Sequence, residues 1–258
     1  LNGDGQLDIV SVNETGAAVL LGNGSGEYGA GQQLVTASGP VQVALADVAG
    51  DGWLDVITLN TGDPHLSVNV NQGDGTFAPG EGLYLSDEKP LWLATGDLNE
   101  DAFVDLAITF EEKLSLMLGA GDGTFYRRTD YPADASPALV QDFDRDGHLD
   151  ILAPTSNGLS VMLGNGDFTF RRQLSGVAPA LRDLASGDMD GDGQLDLFAA
   201  STMLDFLQGT GKGEFQCERA YFPVTPLAVA LGDVNRDQKL DVVVSSEQGI
   251  HLLLNRRP

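Results

Sequence analysis

The sequence predicts an all-β fold, a β-propeller of four-stranded antiparallel blades. Three observations predict it. Six acidic loops recur at a nearly constant interval, with their last Asp at residues 8, 55, 105, 150, 196 and 241. Between them lie apolar runs of four to seven residues, β-branched and bounded by Gly, Asn, Asp and Pro. No longer stretch carries the 3.6-residue period of an amphipathic helix. A strand-and-hairpin unit recurring every ~45 residues describes a propeller blade.

Each unit reads in the same order. A small apolar run comes first, as in VQVALAD (41–47), LWLATGD (91–97) and LAVALGD (227–233). It predicts the innermost strand, where a propeller is crowded, and Ala44, Ala94, Ala185 and Ala230 share one register in it. The acidic loop follows. Next comes a β-rich run such as DVITLN or DLAITF, which predicts the second strand. LSVNVN (66–71), LSLMLG (114–119) and LSVMLG (159–164) predict the third. A Gly-rich turn and an aromatic, as in GAGDGTF (119–125), lead into the fourth. The first unit lacks its inner strand and the last its outer one. Six units are therefore visible in a six- or seven-bladed ring, within one domain over residues 1–258 that starts inside a repeat. A stacked solenoid is the competing arrangement, and the loop-then-hairpin order suits a blade better.

Composition narrows the function. The chain has 38 Asp and Glu against 14 Lys and Arg, a net charge of −24. The six loops carry 19 Asp, so much of the acidity is local. No basic patch is visible, which argues against nucleic acid. No apolar run approaches the ~18 residues needed to span a bilayer, so no membrane insertion is expected. Cys217 is the single cysteine, which excludes an intrachain disulfide.

The loops name a chemistry. Clustered carboxylates around a Gly suit a hard cation, and a flexible multi-carboxylate cage suits Ca²⁺ over Mg²⁺. Numbered from the first Asp, positions 1, 3, 5 and 9 would supply side-chain oxygens and position 7 its backbone carbonyl. Loop 142–150 offers Asp142, Asp144, Asp146, His148 through its carbonyl, and Asp150. Loop 188–196 offers Asp188, Asp190, Asp192, the Gln194 carbonyl and Asp196. Both have Gly at position 6 for the sharp reversal and should bind tightest. Loop 97–105 offers Asp97, Asn99, Asp101, the Phe103 carbonyl and Asp105, with Ala102 at position 6. Loop 233–241 offers Asp233, Asn235, Asp237, the Lys239 carbonyl and Asp241, with Gln238 there. In loop 47–55, Asp47, Asp51, the Trp53 carbonyl and Asp55 remain, but Ala49 replaces a ligand at position 3. The partial first loop keeps Asn2, Asp4 and Asp8. About five to six calcium ions are expected.

The repeated D-x-D/N-x-D-G-x-x-D, its following apolar strand and the L-G-x-G-x-G-x-F turn resemble the FG-GAP repeats of integrin α-subunit propellers. The bacterial form often called VCBS or FG-GAP-like repeats is nearer still, and the resemblance spans Leu1 to Pro258. It implies a calcium-stabilised propeller, secreted or held at the cell surface as part of a larger polypeptide. It further implies a module for adhesion or for carbohydrate or protein binding. A scaffold without a ligand of its own is the alternative, and a polysaccharide lyase or hydrolase is a third reading.

No catalytic residue is expected. His65, His148 and His251 form no metal or catalytic pattern, and the His148 side chain, at position 7, is expected to be free. The Gly-rich turns precede no helix, so they do not cradle phosphate. A ligand would meet the turns at the blade ends away from the acidic loops: 60–65, 110–113, 155–158, 201–204, and the segments before the inner strands. Trp92 stands there where other copies have Gln42, Pro137, Asp183 and Ala228, and it is the candidate for stacking on a ligand. Trp53 is a second candidate at the opposite end.

Overall fold

The structure, a computed structural model, describes residues 1–29, 31–63, 65–85, 88–133, 137–155, 158–175, 181–219 and 225–256. Among them are 22 strands in six antiparallel sheets and no helix. Consequently no helix there is long and apolar enough to cross a membrane. The fold is the β-propeller that the repeat predicts, and the chain divides into two compact units, Leu1–Pro132 and Ala133–Pro258.

The first unit holds three sheets, each laid down in chain order. The first contains β1 (Ile9–Asn13), β2 (Gly16–Leu20) and β3 (Gln32–Leu34). Next come β4 (Pro40–Ala46), β5 (Asp55–Asn60), β6 (Leu66–Asn71) and β7 (Phe77–Leu83). The third is β8 (Trp92–Gly96), β9 (Asp105–Thr109), β10 (Lys113–Gly119) and β11 (Phe125–Pro132). The second unit opens with β12 (Leu139–Gln141), β13 (Asp150–Thr155), β14 (Gly158–Gly164) and β15 (Phe170–Ser175). It continues with β16 (Asp183–Gly187), β17 (Asp196–Ala200), β18 (Leu204–Gly209) and β19 (Phe215–Arg219). It closes with β20 (Pro226–Gly232), β21 (Asp241–Ser246) and β22 (Gly249–Leu253). Four blades thus have four strands, while the first and last have three, as the partial repeats require.

Second strands are buried at every position in β5, β9, β13 and β17. A strand covered on both faces loses the in–out alternation and reads as a continuous apolar run. The cores lie between successive blades within a unit. Ile57, Leu59 and Val68 of one blade pack with Leu93, Leu106 and Ile108 of the next. In the second unit, Leu152 and Leu159 meet Leu184, Leu197 and Leu207, and Phe198 and Phe206 meet Val229 and Val244.

Polar side chains join neighbouring blades at their inner strands. The Gln42 amide donates to Leu93 O at 2.9 Å and accepts from Leu93 N at 2.5 Å. Asp183 accepts from Val229 N at 2.9 Å. Ser186 and Gln141 are bonded across the preceding junction. Gln42 and Asp183 occupy the register of Trp92, so this position carries blade-to-blade contacts in two of its copies. The shared alanines Ala44, Ala94 and Ala185 are half-buried, and Ala230 is exposed.

Candidate metal centres and ligand surfaces

Every complete acidic loop runs from the end of a first strand to the start of the second. Asp47 follows β4 and Asp55 opens β5; the same placement holds at 97–105, 142–150, 188–196 and 233–241. Position 6 is left-handed throughout: Gly52, Gly147 and Gly193 have φ of 87°, 94° and 80°, while Ala102 and Gln238 are forced to 70° and 69°. Position 4 is left-handed as well, with Glu100 at 59°, Arg145 at 65° and Arg236 at 64°. The sequence reading missed this second reversal; Gly3, Gly50 and Gly191 at that position were its signal. A side chain held at positive φ costs on the order of 1 kcal/mol. Ala102→Gly and Gln238→Gly are therefore each expected to raise the melting midpoint by about 2–4 °C, read by calorimetry in chelator. An unchanged or lowered midpoint in both would mean that the strain lies elsewhere.

One hydrogen-bond ladder repeats in the loops. The position 1 carboxylate accepts from the position 6 N–H: Gly52 to Asp47 at 2.8 Å, Ala102 to Asp97 at 2.9 Å, Gly147 to Asp142 at 3.0 Å, Gly193 to Asp188 at 2.9 Å and Gln238 to Asp233 at 2.8 Å. The position 5 carboxylate accepts from the position 7 N–H, as in Trp53 to Asp51 at 3.0 Å, His148 to Asp146 at 2.9 Å and Lys239 to Asp237 at 3.0 Å. In the first loop Gln6 donates to Asp4 at 2.8 Å. Asn2, Asn99 and Asn235 each donate from their amide to the position 5 Asp. These loops are self-capped turns.

The ninth residue, expected as a ligand, has a structural role in the backbone. Asp55, Asp105, Asp150, Asp196 and Asp241 are all buried. Each accepts a backbone N–H from position 2 of its own loop and another from the end of the third strand or just past it, and Asp55 takes a third from Ala49. For Asp105 these are Leu98 at 2.8 Å and Gly119 at 2.9 Å; for Asp150, Phe143 and Gly164, both at 2.8 Å. Burial pushes the Asp105 and Asp150 carboxyls up to about 6, against those hydrogen bonds and with the help of the neighbouring loop carboxylates. Asp55 and Asp196 are raised by the same cause. Asp8 accepts from the Gly22 N–H at 2.8 Å.

Two loops bring three carboxylates together. Oxygens of Asp142, Asp144 and Asp146 lie within 4.8 Å of one another, as do those of Asp188, Asp190 and Asp196. These are the two loops expected to be strongest, and each convergence holds three of the four predicted Asp, with Asp150 and Asp192 outside it. All-oxygen, multiply anionic donors fit a calcium-sized hard ion, and Asp144 is raised first by burial and then by the Asp146 and Asp142 charges. Ala49 adds no oxygen to its loop; its N–H bonds Asp55 at 3.0 Å.

The position 7 side chains are not free, contrary to the expectation for His148. They lie over the Gly-rich turn of their own blade. A Cβ on Gly73 would fall 2.9 Å from the Trp53 ring, and one on Gly121 2.2 Å from Phe103. Gln194 covers Gly211 in the same way, and His148 sits close enough to Asp167 for its charge to act on that carboxylate. Trp53 is thus a cover over Gly73 and Gly3 with one edge in solvent. Position 2 reaches into the following blade. Leu1, Val48, Phe143 and Met189 join the inter-blade cores, Phe143 meeting Phe215 edge-on at 5.9 Å. Their carbonyls accept from the next blade's turn: Asn71 to Leu1 at 2.9 Å, Gly123 to Val48 at 2.8 Å, Gly213 to Phe143 at 3.2 Å and Asn255 to Met189 at 2.8 Å.

Trp92 opens β8 half-buried, at the blade end away from the acidic loop. His65 is buried and stacks on Tyr84 at 5.4 Å. His251 bonds Ser246 at 2.8 Å, inside a hairpin turn where Ser246 also takes the Gln248 N–H. Cys217 is exposed. Parts of the predicted ligand-facing turns, at residues 64, 135–136, 156–157 and 224, lie outside the described residues.

Comparison with known proteins places this geometry. No curated protein sequence matches the chain. A lectin from Agrocybe aegerita that recognises non-reducing terminal N-acetylglucosamine is 19% identical with a TM-score of 0.70, over 98% of this chain and 75% of that one. A lectin from Burkholderia pseudomallei is 16% identical with a TM-score of 0.72, over 95% and 76%. The Photorhabdus luminescens Tc holotoxin pore is 21% identical with a TM-score of 0.53, over 98% of this chain and 13% of that one. At such identities the likeness is one of fold. The model of the FG-GAP-like repeat matches residues 1–58, 47–108 and 142–199, more than half of the sequence, and the chain belongs to the FG-GAP-like repeat family.

Proposed function

We propose that this chain is a calcium-stabilised propeller that works outside the cytosol as a binding module, taking carbohydrate or an extracellular protein. The convergence of three carboxylates in each of two loops supports the ion. Carbohydrate is favoured because two proteins that share the fold are lectins. Calcium would neutralise the clustered carboxylates and hold the turns, while the blade ends away from the loops present the ligand surface. Extracellular modules of this chemistry bind with Kd of roughly 10⁻⁴–10⁻³ M. At millimolar calcium and Kd of about 0.1 mM, each site contributes RT ln(1 + [L]/Kd), on the order of 1.4 kcal/mol. At the far lower free calcium of a cytosol such sites stay nearly empty, which is the physical reason for the location.

Two measurements test it. Isothermal titration should show calcium binding, and Ala49→Asp should add or tighten one site in loop 47–55, about tenfold, by restoring a ligand. No change would remove position 3 from the ligand set. A glycan array probed in millimolar calcium should retain the protein; retention of no glycan would remove the carbohydrate reading.

A further inference from the structure

We infer that a cleft of about 250 Å³ in the second unit, lined by Arg182, Thr225, Leu227, Glu247 and Gln248, is a binding site for one neutral hexose residue of a glycan. The inference rests on the carbohydrate reading above and gives it a place. Arg182 lies just before β16, Thr225 just before β20, and Glu247 and Gln248 in the turn between β21 and β22. All stand at the blade ends opposite the acidic loops, and all five lining residues are exposed.

The walls are fixed. Arg182 N donates to Ala200 O at 2.7 Å, and the adjacent Asp183 ties β16 to β20 through Val229 N. The Glu247–Gln248 turn is held by Ser246, which accepts from Gln248 N at 3.1 Å and is bonded to His251. Backbones held on both sides lower the ordering cost of binding. The charged tips are not consumed by that scaffold. Among the described residues, neither the Arg182 guanidinium nor the Glu247 carboxylate makes an ion pair or a side-chain hydrogen bond. Two opposite charges thus line one cleft without pairing.

That set suits a polyol. A guanidinium donates to adjacent hydroxyl oxygens, a carboxylate accepts from adjacent hydroxyls, and Thr225 and Gln248 can do either. Leu227, 41% exposed, offers an apolar wall to the C–H face of a sugar ring. The cleft volume accommodates one ring. Its two charges sum to zero, so the cleft offers no net charge to attract an ion, and an anion would also face a chain of net charge −24.

Saturation-transfer NMR with galactose, glucose, mannose and N-acetylglucosamine tests this, with glucuronate and free glycine as charged controls. At least one neutral sugar should bind with a Kd of about 1 mM, the scale for a ligand of this size. Arg182→Ala and Glu247→Ala should each weaken it about tenfold or more while leaving the melting midpoint unchanged. Stronger binding of glycine or glucuronate than of any neutral sugar would overturn the ligand class. A wild-type protein retained on a glycan array, with both variants retained equally, would overturn the cleft and leave the carbohydrate reading standing. Binding of neither free sugars nor arrayed glycans would remove both.

Discussion

Stripped of divalent ions, the protein is expected to melt at a higher temperature at pH 4.5 than at pH 7.5. The Asp105 and Asp150 carboxyls stand at about 6 in the folded chain, against the usual 3.8, and Asp55, Asp144 and Asp196 are raised as well. A raised carboxyl keeps its proton in the folded state at a pH where the unfolded chain has lost it. Its contribution is therefore complete below about pH 4 and disappears as pH climbs through about 6. For Asp105 and Asp150, both fully buried, the loss is about 3 kcal/mol each. Self-repulsion at a net charge of −24 acts in the same direction. Calcium should change the pattern, because its ligands must be deprotonated. Millimolar calcium is expected to raise the midpoint strongly at pH 7.5 and little at pH 4.5. Calorimetry in chelator and in calcium at the two pH values, at fixed ionic strength, measures both effects. A chelated protein more stable at pH 7.5, or a calcium effect equal at both, would contradict the electrostatics assigned to these loops.

Removing one buried carboxylate is expected to cost far more than removing an exposed one from the same loop. Asp105→Ala leaves the N–H groups of Leu98 and Gly119 buried without their acceptor. At about 1–3 kcal/mol for each orphaned donor, the loss is about 4 kcal/mol. Asp101→Ala removes an exposed acceptor from Phe103 N, which water can replace, so in chelator it should cost under about 1 kcal/mol. Asp105→Asn keeps one acceptor and falls between them. Urea unfolding in chelator measures the three. Equal costs for Asp105→Ala and Asp101→Ala would mean that the ninth residue is only an ion ligand and not a strut.

What was legible in the sequence is what repeats. The spacing of the terminal Asp marked six repeat units and left six or seven blades open, and the continuous apolar run after each loop marked the doubly covered second strand. The loops richest in Asp are those in which three carboxylates meet. Side chain–to–backbone geometry was not legible. Nothing in the composition says that Asp105 bonds the Gly119 N–H, or that Gly119 is glycine because a Cβ would fall 2.2 Å from the Val104 carbonyl oxygen. Glu100, Arg145 and Arg236 gave no local sign of a positive φ, since only the glycines at the same position in other copies reveal it. Gln42 and Asp183 look like interchangeable polar residues until each is found gripping the next inner strand. The cleft at Arg182 and Glu247 combines residues 65 positions apart that do not recur from blade to blade, so no pattern announces it.

In four of the acidic loops the carbonyl at position 2, that of Leu1, Val48, Phe143 or Met189, links the loop to the blade that follows. In a chain of repeats, stability divides into a term for each repeat and a term for each nearest-neighbour contact, and the second sets how far melting spreads. Here the contact term includes the Asn71, Gly123, Gly213 and Asn255 bonds to loop carbonyls, together with the plugs at Val48, Phe143 and Met189. Whatever orders a loop therefore strengthens the coupling between repeats as well as the repeat itself. Within each unit, the blades of a chain with ordered loops would unfold together in one sharp transition. With loose loops, the same blades would fray one by one. If the loops take calcium as proposed, the solvent's ion content would adjust that cooperativity with no change to the core.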